Sequence, residues 1–119
     1  MLVVKTKLKQ IKGKGIGLMA DQEIKKGQAT WTFDPVVDIR VLKKDIPEKA
    51  KEFFNAYAVD HGEDYLLLST DNARFTNHSD EPNTKSLGID KDNIATRDIH
   101  IGEEITIDYK EIDVNGVDF

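Results

Sequence analysis

Only one stretch of this chain, "DIPEKAKEFFNAYAV" at 45–59, repeats its apolar residues at a helical interval. Turn signals cut the rest into runs short enough for strands and little else. Within that stretch Ile46, Ala50, Phe53, Phe54 and Tyr57 recur at spacings of four, three, one and three, which makes one amphipathic face. Asp45 and Glu48 have capping-box spacing, Pro47 suits a first turn, and Gly62 stands just beyond as a stop. The apolar stripe reads as packing. Around it, "LVVKTKL", "GLMA", "ATWTFDPVVDIRVL", "YLLLST", "NIATRDI" and "EITIDY" read as strands, the longest broken at Pro35. The expectation is one mainly β domain over 1–119, with a helical insert at about 45–59 and a short tail at 110–119.

A chain of 119 residues with 39% hydrophobic and 33% charged residues can bury a core of its own and lacks the signature of disorder. The absence of cysteine excludes a disulfide framework and a thiolate zinc site. No apolar run approaches the ~18 residues of a membrane span, and "MLVVKTKLKQ" lacks the apolar stretch of a signal peptide. An intracellular, cytoplasmic protein with no metal centre and no membrane partner is expected. Charge is uneven. Residues 1–27 hold seven lysines against Asp21 and Glu23, whereas residues 98–119 hold seven acids against Lys110. Two readings stand: surfaces that attract partners of opposite charge, or two solvated faces that pair with one another. Lacking aromatic interleaving, the basic segment argues against nucleic-acid binding.

Two glycine-bearing segments and one polar turn carry the rest. "GKGIGLMA" sets Gly13, Gly15 and Gly17 at alternate positions before an apolar strand. It lacks the helix of a dinucleotide site and the ending of a phosphate loop, so alone it reads as a hairpin turn. "RFTNHSDEPNT" at 74–84 is denser in hydrogen-bonding side chains than a turn requires. Alone, Asn77 and His78 read as a satisfied buried turn, and Tyr109, ending "GEEITIDY", as a structural strand residue. Glu103 and Glu104 face opposite ways along a strand, which argues against an acid–base pair; both read as surface or turn stabilisers. A hydrolytic triad of His78, Ser79 and Asp108 has no support beyond residue type.

Taken together and in order, "GIGLMADQEIKKGQ", "RFTNHSDEPN" and "GEEITIDY" resemble the SET domain of protein-lysine methyltransferases, from about Lys14 to Tyr109. The resemblance implies a β-clip-like fold of short curved sheets, one inserted helix, and a knot-like threading of the chain's end past the 74–84 segment. It implies S-adenosylmethionine as cofactor, contacted by the backbone of Lys14, Gly15 and Ile16. Asn77 would meet the cofactor's amino-acid portion, the backbone of His78 its adenine, and carbonyls at Arg74 and Thr76 its methyl group. It implies a substrate channel for a lysine of a protein or peptide, such as a histone tail or another basic segment. Phe33, Ile107, Tyr109 and Phe119 would line that channel, with Tyr109 catalytic.

The chain also departs from the family pattern. Asp80 stands where many members have cysteine, so no zinc-bound extension completes the channel; the tail, with Phe119 as a wall or a frayed end, or a second subunit in a homodimer, would have to. Phe33 replaces a tyrosine, removing one hydroxyl. Ile107 replaces an aromatic associated with the number of methyl groups added, which leaves multiple methylation open. An inactive cofactor- or protein-binding module is the alternative reading.

Overall fold

The computed structural model describes residues 1–115, so Phe119 lies outside the described residues. Strands β1 (Thr6–Ile11) and β2 (Gly15–Ala20) form an antiparallel hairpin in register from Thr6↔Ala20 to Ile11↔Gly15. Gly13 and Gly15 turn it with φ of 83° and 85°, a conformation glycine adopts without steric cost. Strands β3 (Ala29–Trp31) and β4 (Asp38–Leu42) follow, separated around Pro35 as the sequence predicts.

The insert is shorter than its periodicity predicts. A 3₁₀ turn at Lys43–Asp45 and another at Glu48–Ala50 precede helix α1, which covers only Lys51–Tyr57. The reason is Pro47, which disfavours the helical conformation in the residue before it. Ile46 is therefore extended (φ −79°, ψ 114°), and Asp45 is cut off from the helix it was expected to cap. Glu48 pairs instead with Lys51, 2.7 Å away. At the other end Ala58 is extended and Val59 enters strand β5 (Val59–Asp60), so Gly62, at φ 86°, turns the chain into β6 (Tyr65–Ser69) instead of stopping a helix. β4, β6 and β5 form one antiparallel sheet.

Beyond a 3₁₀ turn at Asn72–Phe75 come β7 (Asn77–His78), β8 (Thr84–Ser86), β9 (Asn93–Ala95) and β10 (Thr106–Ile107). β3, β9 and β8 make a second three-stranded sheet. β5, β7 and β8 are too short to show alternation and were not legible as strands. The threading expected at the chain's end centres on β7 and β10, which pair in parallel with Thr106 beside Asn77 and Ile107 beside His78. A two-residue strand cannot satisfy its backbone by pairing alone, and side chains of the polar turn complete it. Asn83 donates to Glu104 O (2.8 Å) and accepts from Thr106 N (2.9 Å), while Thr84 Oγ1 donates to Thr106 O (2.6 Å). Both side chains are buried, as polar groups can be when fully bonded.

The segment leading into β10 also lies along β2, with Ile105 N donating to Leu18 O (2.7 Å) and Ala20 N to Glu103 O (2.8 Å). This contact joins the hairpin to the core of Val4, Leu18, Ala20, Ile24, Ala95, Ile99 and Ile105. The basic start and acidic end partly neutralise each other: Lys14 pairs with Glu104, and Asp98 accepts from Lys26 N and faces Lys25. Among the described residues no helix is long and apolar enough to cross a membrane, and no group of three or more acidic or histidine side chains is placed to hold a metal ion.

Candidate functional site

The β2–β10 and β7–β10 contacts bring the first glycine turn beside the asparagine–histidine segment. Asn77 Nδ2 donates to Ile16 O (3.2 Å) and to Glu104 Oε2 (2.7 Å). The other Glu104 oxygen accepts from Lys14 Nζ at 2.9 Å. Lys14 and Asn77, distant in the chain, thus meet on one carboxylate, and Asn77 also ties in the Ile16 carbonyl. Glu104 reaches them because its neighbour Met19 lies on β2 and because Gly17 leaves room: a Cβ there would stand 2.9 Å from Glu104 Oε2 and 2.2 Å from Ile11 Cδ1. Glu103 faces the other way, accepting from His100 N (3.0 Å), which is the turn role expected for both. Glu104 is the functional candidate that sequence reasoning passed over. Strand alternation already separated the two glutamates; which face met the glycine turn was not readable.

Tyr109 does not end the strand as expected: β10 stops at Ile107, and Tyr109 opens a 3₁₀ turn, Tyr109–Glu111, with the Asp108 side chain accepting from Lys110 N. The Tyr109 hydroxyl donates to Thr76 O (2.6 Å), and its N–H donates to His78 Nδ1 (3.1 Å), with the rings packed edge to face at 5.4 Å. Because Nδ1 accepts, a neutral imidazole carries its proton on Nε2 and donates to Asp80 Oδ1, 2.9 Å away. His78 is a bracket for the Tyr109 backbone. Ser79 Oγ accepts from Glu81 N, a turn contact, and the triad reading gains nothing from this geometry. Burial pushes the Tyr109 phenol above its ordinary pKa and the Glu104 charge adds to the rise, while hydrogen bonding from the His78 backbone N–H to the phenol oxygen opposes it. At neutral pH the group is a phenol, not a phenolate.

Tyr109, Thr76, Ile107 and Arg74 all line one cavity of about 580 Å³, walled further by Tyr57, Leu67, Trp31 and Ile105. Two of its lining residues carry a buried polar atom with no hydrogen-bond partner among the described residues, His61 Nδ1 and Asp90 Oδ1. Thr76 is the joint between cavity and glycine-turn corner, since it adjoins Asn77 and its carbonyl holds Tyr109. Arg74 directs its guanidinium to the carbonyls of Thr70 and Asp71 and over the Phe75 ring. Phe33 is not brought to the cavity; its ring stacks on the Arg40 guanidinium at 4.7 Å, in the connection between β3 and β4. Its hydroxyl-lacking ring therefore says little about chemistry at Tyr109.

Residues 15–110 match the sequence profile of the SET domain. Among solved structures, the fold is similar to that of a Plasmodium falciparum protein provisionally named a histone methyltransferase, with a TM-score of 0.64 and 21% sequence identity. That alignment covers 88% of this chain and 96% of the other. No curated protein sequence matches the chain significantly.

Proposed function

This chain belongs to the SET-domain family, and from that membership we propose that it transfers methyl groups from S-adenosylmethionine to the side-chain amine of a lysine in a protein. The observation that supports this best is the place of Tyr109: a half-buried phenol on a cavity wall, tied through Thr76 O to the segment that also carries Asn77. The corner fits the ammonium of an amino acid, since both N–H groups of the Asn77 amide are bonded within the protein and its oxygen remains to accept, beside the backbone of a turn opened by Gly15. Lys14, Gly15, Ile16, Asn77 and the backbone of His78 would hold the cofactor. When bound, it supplies a methyl group on a positively charged sulfur, open to displacement by an uncharged amine.

The chain's own residues do the rest. Lysine's ordinary pKa of about 10.4 leaves little neutral amine at pH 7. The apolar part of the cavity wall, Trp31, Leu67, Ile105 and Ile107, favours the uncharged form of an amine placed against it. The single Tyr109 hydroxyl proton is committed to Thr76 O, so the phenol oxygen offers lone pairs and accepts an N–H of the amine. That orients the amine's own lone pair instead of removing its proton, and the raised phenol pKa fits the same role. Thr76 O retains a second lone pair for a weak C–H···O contact with a polarised methyl. Positioning of this kind is worth about 7–11 kcal/mol in intramolecular comparisons. Ile107, buried on the cavity lining, brings no hydroxyl to hold a water there, so products beyond monomethyl-lysine are expected.

The test is incubation with labelled methyl donor and mixed basic proteins, followed by mass spectrometry of the labelled sites. Labelled lysine supports the proposal. Cofactor binding without lysine labelling supports the binding-module reading in its place, and monomethyl product alone under excess enzyme counts against the role given to Ile107.

A further inference from the structure

We propose that Glu104 is a positioning residue that fixes which face Asn77 shows to the methyl donor, making the site selective for the donor's α-ammonium. This rests on the methyltransferase reading above and adds a recognition element to it. A primary amide has two N–H donors and one carbonyl acceptor. Both donors of Asn77 are consumed within the protein, one by Ile16 O at 3.2 Å and one by Glu104 Oε2 at 2.7 Å. Each partner is an acceptor, so a turned-over amide would set oxygen against oxygen on both sides. The orientation follows from the chemistry of its neighbours, and only Oδ1 is left for a ligand. An amino-acid zwitterion offers an ammonium, which donates, and a carboxylate, which accepts. An amide oxygen, which only accepts, selects the first.

Glu104 is itself held on three sides. Lys14 Nζ anchors its second oxygen, the bridge to Met19 sets its backbone, and the missing side chain at Gly17 leaves its carboxylate room. Its side chain is only 14% exposed, so its charge is weakly screened. That charge reaches Tyr109, whose phenol it helps keep protonated, and it reinforces selection of a cationic group at the neighbouring amide. Glutamine at this position would preserve size while removing the charge and offering both a donor and an acceptor. With its oxygen on Lys14, that glutamine would turn its N–H groups toward Asn77 and favour the turned-over amide, against Ile16 O, which still favours the original one, so the two sides would no longer fix one orientation together.

The experiment is calorimetric titration of wild-type protein and Glu104→Gln with S-adenosylhomocysteine and with its analogue lacking the α-amino group. Wild type should prefer the amino-bearing ligand by about tenfold or more, the scale of one charge-assisted hydrogen bond. In Glu104→Gln the preference should fall to about threefold or less, through weaker binding of the amino-bearing ligand alone. An unchanged preference overturns the proposal, as does equal weakening of both ligands, which would mark a merely structural role. Wild type that binds neither ligand nor S-adenosylmethionine removes the proposed function itself; wild type that binds both ligands equally removes only this inference. Should the variant not fold, amide exchange of the Asn77 side chain in ¹⁵N-labelled wild type decides the matter. Slow exchange of both protons supports the proposal, and exchange at the solvent rate overturns it.

Discussion

The β7–β10 crossing and the helical insert are built on opposite terms. At the crossing Ile105, Thr106 and Ile107 are 2%, 7% and 2% exposed, and Asn83 and Thr84 satisfy backbone groups that so short a strand leaves unpaired. In the insert no residue of α1 is buried, Phe53 is 45% exposed, and the rings of Phe53, Phe54, Tyr57 and Phe75 pack in a chain, edge to face at its two ends and tilted between Phe53 and Tyr57. The crossing has little freedom to change without breaking. The insert can be altered at its surface while Tyr57 still closes one side of the cavity. A polar turn deep in the protein and an apolar helix near its surface invert the usual distribution, and the inversion separates a tightly bonded crossing from an insert that can vary at its surface.

The largest effect expected is at the crossing's tip. Tyr109→Phe removes the oxygen proposed to accept from the amine and should lower kcat about 10²–10³-fold, as loss of one preorganised polar group does. Cofactor affinity should change little, and a variant with full activity would end the positioning role given to Tyr109. Asn83→Ala comes next. It leaves Thr106 N and Glu104 O unpaired inside the protein and should cost about 2–4 kcal/mol in urea unfolding. A loss below about 1 kcal/mol would mean that the crossing does not depend on its polar turn.

A pH series gives a smaller, signed effect. The Tyr109 pKa is raised by folding, so its contribution to stability is complete below the unfolded value near pH 10 and declines as pH rises from there through the folded value. Absorbance titration should show Tyr109 ionising above the range of a free phenol. The rate should climb between about pH 7 and 9 as substrate amine loses its proton, with no step from phenolate formation. The smallest effect is expected in the insert: Phe53→Ala should change stability by about 0.5 kcal/mol and leave kcat unaltered. If it matched Asn83→Ala, the contrast between the two regions would fail.

Much of this was legible in advance, for reasons particular residues make plain. Pro35 broke a strand where proline must, Gly13 and Gly15 turned the hairpin, and the polar turn and closing strand were matched as a pair before any contact was known. The insert was over-extended because its apolar period runs unbroken across Pro47, and the conformational restriction on Ile46 outweighed the capping potential of Asp45. β7 escaped notice because two residues cannot display a period of two. Glu104 was misjudged together with Glu103, although only one of them faces the glycine turn.

Residue order alone determined the mainly β class, the single inserted helix and the family motifs, since propensities, turn requirements and short-range pattern are local properties of the chain. Only the tertiary structure decided that Glu104 meets Lys14 and Asn77, that Phe33 stacks on Arg40 away from the cavity, and that the Tyr109 hydroxyl spends its proton on Thr76. Those outcomes turn on which face of one short strand packs against another. A hydrogen bond across ninety residues, such as Lys14 to Glu104, leaves no trace in the spacing of its partners.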